Sequence, residues 1–476
     1  QFLFEDPLDP NYVRTDWINT EPSSATFAFG GTQMGHSYRK SNSVGGKFDF
    51  TSQITSRHEI KVGTSVRIDD LNEENITVLY NDQYRTPTVL PANESPYHNL
   101  YDNEATFLSG YIQDKIEYAN MIMNVGLRYD YFDPKSDYVE DLLDPEGSKT
   151  TADPKHMVSP RLGISFPITD AGILHFSYGH FFQMPTLRRL YKTSIFGAGL
   201  APSIGYADLK PEKTVNYEFG LQQQLTSILA INMSIFYKDI RDLLALQSIH
   251  YESAKYGPSD YAIYLNKDYG SVKGITFSLT KRHDPVTRLS AWADYTYQVA
   301  KGNSVRSGSF FFNSLTGEEE EKRIAPLSWD QRQIMSATLM FGDPRKWSVS
   351  FIGKLSSGWP YTPDIPNANY VPEPNSDNKP WQRNVNMRIQ KTFNLQNFRL
   401  VAFAKIYNLF DTRNERYVYD DTGRAGYTYG YQSNQETDEL IRHYGEPGIH
   451  TWNEYMNRPY YYTAPRSVSI GLTVDL

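Results

Sequence analysis

The sequence predicts an all-β chain: a transmembrane, antiparallel, up-and-down β-barrel contributing about 15 strands. Three observations predict it. Apolar and polar residues alternate with a period of two over stretches longer than the 5 to 6 residues, roughly, that an ordinary sheet needs. Hairpins built from such stretches recur along the whole chain, with turns near 56, 120, 170, 227, 284, 343 and 394, at intervals of 50 to 64 residues. The connections at the other strand ends are long, polar and rich in Gly, Pro, Asn and Tyr, so one edge has short turns and the other long loops.

The clearest hairpin is the one after Leu209. Val215, Tyr217, Phe219 and Leu221 alternate with Asn216, Glu218, Gly220 and Gln222; after Thr226 and Ser227 the pattern restarts with Leu229, Ile231, Met233, Ile235 and Tyr237. A tilted strand crossing a bilayer needs about 9 to 11 residues, and these are long enough.

In chain order, residues 1–42 read as a long outer loop or the end of a preceding strand, with one short alternating piece at Ala25, Phe27 and Phe29; residues 43–476 read as the barrel. Val44 to Ile54 and Ile60 to Ile68 form the first hairpin, turning at Ser56. Leu108 to Tyr118 and Met121 to Tyr131 form the second. Leu162 to Ile168 and Leu174 to Phe182 form the third, and the Leu209 hairpin is the fourth. The fifth turns at Asp284, the sixth at Asp343 and the seventh at Asn394. Val468, Ile470, Leu472, Val474 and Leu476 alternate with Ser467, Ser469, Gly471, Thr473 and Asp475, a last strand.

Composition excludes several classes. No apolar run approaches the ~18 residues of a membrane-spanning helix, whereas a barrel that shows lipid every second residue keeps a polar average. The chain has no Cys, which removes thiolate catalysis, cysteine-bound metal and disulfides. A net charge of −8 without a polybasic block argues against nucleic acid. A soluble β-propeller would bury both faces of its strands, and the regular Lys, Glu, Gln, Ser and Gly on one parity suit a wet lumen instead. The start, Gln1 to Pro10, has neither the basic nor the apolar region of a signal peptide, so a leader was removed or the true start lies upstream.

Several stretches resemble TonB-dependent outer-membrane receptors: Leu209-Lys210-Pro211-Glu212 followed by Tyr217-Glu218-Phe219-Gly220; Asn408-Leu409-Phe410-Asp411; Asn266, Gly270 and Gly274; Trp329-Asp330-Gln331-Arg332; and Ser357-Gly358-Trp359-Pro360-Tyr361-Thr362-Pro363. The resemblance covers the barrel from about residue 44 onward. It implies a barrel of about 22 strands, of which this chain supplies the C-terminal two-thirds, with the plug domain and TonB box outside it. It also implies a bacterial outer-membrane location, lipopolysaccharide as surrounding lipid, energy from a TonB-ExbB-ExbD complex acting on the plug, and uptake of a siderophore, vitamin, oligosaccharide or peptide. A surface lipoprotein is a further partner to test. The alternatives are a passive 16-stranded porin, in which Ser23 to Gln33 adds one strand, and a structural or secretion-linked barrel.

Such transport needs no catalytic residue, metal or cofactor, and none is expected. His443 and His450 read as loop residues, Glu318 to Glu321 as a solvated run, and Asp330 with Arg332 as a structural lumen ion pair. The ligand-binding candidates are outer-loop aromatics: Tyr427, Tyr429 and Tyr431 in GYTYGY, with Trp359 and Tyr361. Aromatic area on a flexible backbone suits capture of a planar or sugar-like ligand. Tyr460 to Tyr462 fit that role and a headgroup-level girdle equally.

Overall fold

A computed structural model describes residues 26–28, 34–81, 86–93, 97–145, 147–192, 203–253, 257–304, 323–343, 345–364, 372–395, 398–429, 449–451 and 458–475. Fifteen strands form one antiparallel sheet, each hydrogen-bonded to its neighbours in chain order. They are β1 (Gly35–Gln53), β2 (His58–Thr77), β3 (His98–Tyr118), β4 (Met121–Asp133), β5 (Lys155–Thr169), β6 (Gly172–Gln183), β7 (Glu212–Gln224) and β8 (Leu229–Ser253). The rest are β9 (Gly257–Lys281), β10 (Leu289–Gly302), β11 (Gln333–Asp343), β12 (Trp347–Ser356), β13 (Gln382–Asn394), β14 (Arg399–Tyr407) and β15 (Ser467–Asp475). Among the described residues β1 pairs only with β2 and β15 only with β14, so the sheet curves as a barrel wall without closing.

Short polar side chains make the tight turns. Thr55 accepts the amides of Arg57 and His58, Thr226 those of Ile228 and Leu229, and Asp284 those of Val286 and Thr287. These local bonds replace ladder bonds where the chain reverses.

The period-two pattern becomes two faces. Along one rung, Phe176 pairs with Phe219, Phe219 with Ile235, Ile235 with Ile275 and Ile275 with Tyr297, an unbroken apolar row across five strands. Phe219 is 47% exposed and Ile235 48%, the exposure expected of side chains that face lipid. The opposite parity carries Glu218, Ser234 and Thr276. At the edges exposure rises further, to 74% for Val44 and 81% for Ile470, because no neighbouring strand flanks them.

The strands continue past the expected boundaries. β1 begins at Gly35, eight residues ahead of residue 43, and β2 runs on to Thr77. β8 and β9 are 25 residues each, more than twice a bilayer crossing. Their ends at the long-loop edge pack on loops: Tyr261 donates to the Leu142 carbonyl at 2.6 Å, and Ile204, Ile249, Tyr261 and Ile263 form a buried cluster.

The largest buried cluster lies on the polar-face side at the long-loop edge. It joins Leu71, Tyr101, Ala105, Phe132, Met157, Leu209 and Leu244 to Leu190 and Tyr191 of a one-turn helix, α1 (Leu187–Tyr191). Tyr191 donates to the Pro134 carbonyl at 2.8 Å, and buried Glu73 accepts from Arg39 and Tyr101 while lying 3.2 Å from Arg188. The Thr26–Ala28 segment pairs with Ile449–Thr451 in a separate small sheet, away from the wall.

Candidate ligand-binding surface

Three loop segments meet at the long-loop edge beside β12 to β15. The first, 357–364, leaves β12 through a backbone contact so close that a Cβ on Gly358 would lie 1.8 Å from the Lys379 carbonyl oxygen. Only glycine fits there. The Lys379 amide donates to the Trp359 carbonyl at 2.9 Å, and the Trp359 side chain is left partly exposed, at 38%.

The second segment begins where β14 ends. Asn408 and Asp411 adopt left-handed φ of 52° and 51°, turning the chain out of the sheet. The buried Asn408 amide donates to the carbonyls of Thr412 and Ala464 and accepts from the Thr412 amide, while Asp411 accepts from the Arg466 amide. The corner thereby binds the third segment, 458–466, to the second.

From this corner the loop folds on itself. Glu415 receives three bonds from Arg424, at 3.0, 3.2 and 2.6 Å, and one from the Ala425 amide at 2.7 Å. Burial pushes the Glu415 carboxyl up, but the Arg424 guanidinium and the Ala425 amide outweigh it and hold the group below the usual carboxylate range. Asp421 accepts from the Thr428 hydroxyl and the Tyr429 amide, both at 2.6 Å, and Thr422 donates to the Tyr427 carbonyl at 2.8 Å. Tyr427 and Tyr429 therefore stand on a fixed backbone, edge to face with centroids 6.2 Å apart, 54% and 48% exposed.

Tyr361 bridges the first and second segments. Its hydroxyl donates to Asp377 at 3.3 Å and touches Gly423, where φ is +65° and a Cβ would come within 2.2 Å of that oxygen. Burial, then Asp377, push its phenol up to about 12, so it stays protonated and a donor. Tyr431 lies outside the described residues. His443 lies outside them as well.

The structure adds residues that period-two reading passed over. Tyr417 and Tyr419 pack on Tyr461 with centroids 5.7 and 5.2 Å away, and the Arg458 guanidinium lies 5.2 Å from the Tyr461 ring and 5.7 Å from that of Tyr419. Tyr460 to Tyr462 thus belong to the loop pile at this edge. The available signal was Tyr-Val-Tyr at 417–419, an alternation too short to stand out.

The other motif residues prove to be joints. Asn266 exchanges both amide bonds with the Lys210 backbone, at 2.8 and 2.9 Å, locking the β6–β7 connection to β9. Asp330, fully buried, accepts from the Ala300 amide at 2.8 Å and pairs with Arg332, the structural role expected of it. Among the described residues no cluster of three or more His, Cys, Asp or Glu could hold a metal ion.

Comparison with known proteins matches this architecture. The family model "TonB dependent receptor-like, beta-barrel" matches residues 4–409. The TonB-dependent heme receptor A of Haemophilus ducreyi is 25% identical over 246 residues, 47% of this chain and 30% of that protein. The outer membrane transporter YddB from Escherichia coli has a TM-score of 0.56 at 16% identity, covering 80% of this chain and 51% of that one. The unliganded ferric citrate transporter FecA has a TM-score of 0.56 at 14% identity, covering 93% and 56%. At such identities the solved structures speak for the fold, and the chain spans between about a third and a little over half of these relatives' lengths. On the family match over most of its length, and on the sheet described above, this chain belongs to the TonB-dependent receptor β-barrel family of the bacterial outer membrane.

Proposed function

We propose that this chain forms the wall and the external capture surface of an active-transport receptor that takes up a scarce nutrient across the outer membrane. The observation that carries the reading is the braced aromatic loop pile at the long-loop edge: Tyr427 and Tyr429 exposed on a backbone fixed by Asp421 and Thr422, with partly exposed Trp359 on segment 357–364 and Tyr361 joining that segment to Gly423. Tyr431 continues the same run in sequence. On this reading the long-loop edge faces outward, the short turns face the periplasm, and a TonB-ExbB-ExbD complex supplies the energy through a plug domain. The ligand is an iron chelate or heme, as the names of FecA and of the Haemophilus receptor suggest for those proteins, ahead of a vitamin, oligosaccharide or peptide. The relatives are named as receptors and transporters, and the chain is read as having no enzyme activity.

Replacing Tyr427, Tyr429 and Tyr431 together by Ala should weaken binding of ferric citrate or heme to the intact receptor about tenfold or more while leaving assembly unchanged, since central aromatics dominate binding surfaces. Unaltered binding of both probes would remove these residues from the site. A passive porin has less support, because Thr26–Ala28 pairs away from the wall instead of adding a strand to it. Liposomes carrying the receptor should not swell in small sugars; rapid swelling would favour the porin.

A further inference from the structure

Cations on the short-turn edge are gathered at one place. Seven short turns close the hairpins, and the residues between their strands include five cations: Arg57 on the first turn, and Arg282, Arg288, Arg345 and Lys346 on the β9–β10 and β11–β12 turns. The Arg57 guanidinium lies 5.9 Å from the Tyr118 ring. The other four are exposed, and none makes an ion pair among the described residues. The acids of these two turns are committed to the backbone: Asp284 accepts the amides of Val286 and Thr287, and Asp343 that of Arg345 at 2.9 Å.

The two turns lie side by side. β10 pairs with β11, and the Gly342 amide donates to the Arg288 carbonyl at 2.9 Å, so the four cations stand at the ends of successive strands, β9 to β12. Three strand spacings of about 4.8 Å spread them along roughly 14 Å of rim. Arg282 continues the parity of Ser278 and Thr280, and Lys346 that of Ser348 and Ser350. The register carries this parity from strand to strand as the lumen face, so both residues belong to the lumen side of the rim and not to its lipid side. Arg288 has a left-handed φ of 55°, a conformation that glycine adopts freely and a residue with a Cβ adopts at a cost. Between these charges Val286 stands at the tip of its turn, 89% exposed.

We infer that the adjoining β9–β10 and β11–β12 turns dock a short acidic peptide segment of a periplasmic protein, whose carboxylates meet Arg282, Arg288, Arg345 and Lys346 and which lays an apolar side chain against Val286. In an extended peptide alternate side chains share a face and recur at about 6.6 Å, so three carboxylates at every second residue span about 13 Å, the length of the cationic rim. Three of the four cations are arginines, whose planar forks meet carboxylates with two parallel hydrogen bonds. The lumen-side parity disfavours a bilayer headgroup, and it puts the contact on the wall itself, apart from any made through a plug. The inference rests on the short turns facing the periplasm, as proposed above.

The test uses the intact receptor in phosphatidylcholine nanodiscs and a fluorescent decapeptide of alternating Glu and Ser with a central Leu, read by fluorescence anisotropy. Replacing Arg282, Arg288, Arg345 and Lys346 together by Gln should weaken the peptide by about threefold per charge, roughly eightyfold in all, since exposed ion pairs are individually weak. The same peptide with Gln for every Glu should not bind, and added salt should weaken the Glu peptide. Arg57→Gln, on a distant turn, should leave binding unchanged. Arg288→Gly relieves the left-handed backbone, so it should weaken the peptide without lowering the heat resistance of the barrel, which separates loss of the site from loss of folding. Undiminished affinity in the fourfold Gln variant, or a Gln peptide bound as tightly as the Glu peptide, would overturn the site. Displacement of the Glu peptide by phosphatidylglycerol vesicles or soluble peptidoglycan fragments at matched anion concentration would overturn the peptide assignment. Orientation is read separately by treating Val286→Cys in intact cells with a membrane-impermeant maleimide, which this cysteine-free chain permits. Labelling of that thiol from outside would refute the periplasmic placement whatever the peptide result.

Discussion

Asn408 and Asp411 adopt a backbone conformation that few residues accept, and their side chains bond the segments they turn between. The shared motifs around them were visible in the sequence as resemblance, and the structure explains why those residue types are needed: Asn266, Asp330 and Gly358 are likewise joints between backbone segments. Tyr417, Tyr419 and Arg458 could not be found in that way, because a loop pile has no period and its contacts join distant parts of the chain. Glu415 gives this scale its prediction. Its folded pKa is depressed, so its contribution is fully present above the unfolded carboxylate value of about 4.3 and is lost as pH falls through the folded value. Amides of 415–429 should lose hydrogen-exchange protection on acidification through that window, and Glu415→Gln should cost about 1 kcal/mol of protection at neutral pH, discounted because Arg424 is more than half exposed. Protection that stays constant throughout the acid titration would show that the pair does not hold the loop.

For whole elements, alternation was legible wherever one face meets lipid, and the fifteen strands were countable for that reason. It failed where strands leave the bilayer. Asn72 to Asn75 in β2 are polar on both parities and look like loop, yet they pair in register with Asn99 to Asp102. Helix α1 offered only one turn, too short for a helical period to appear. The two-faced reading predicts a contrast between adjacent residues of β9. Phe277→Arg, on the apolar face, should destabilise the folded barrel by about 2 to 4 kcal/mol, whereas Ser278→Arg, facing the lumen, should cost far less. Urea midpoints in lipid measure both, and equal shifts would reverse the assignment of faces.

At the level of the whole molecule, the margins of β1 and β15, which pair with no further strand among the described residues, set a demand on assembly. Hydrocarbon supplies no donors or acceptors, so each margin's row of amides and carbonyls must be answered by another strand before the wall can rest in a bilayer. Residues 34–475 prepared alone in detergent should therefore zip edge to edge into species whose size grows with concentration, as light scattering would register. A sharp monomer at every concentration would mean that the two margins find each other and that this span can seal itself into a narrower cylinder.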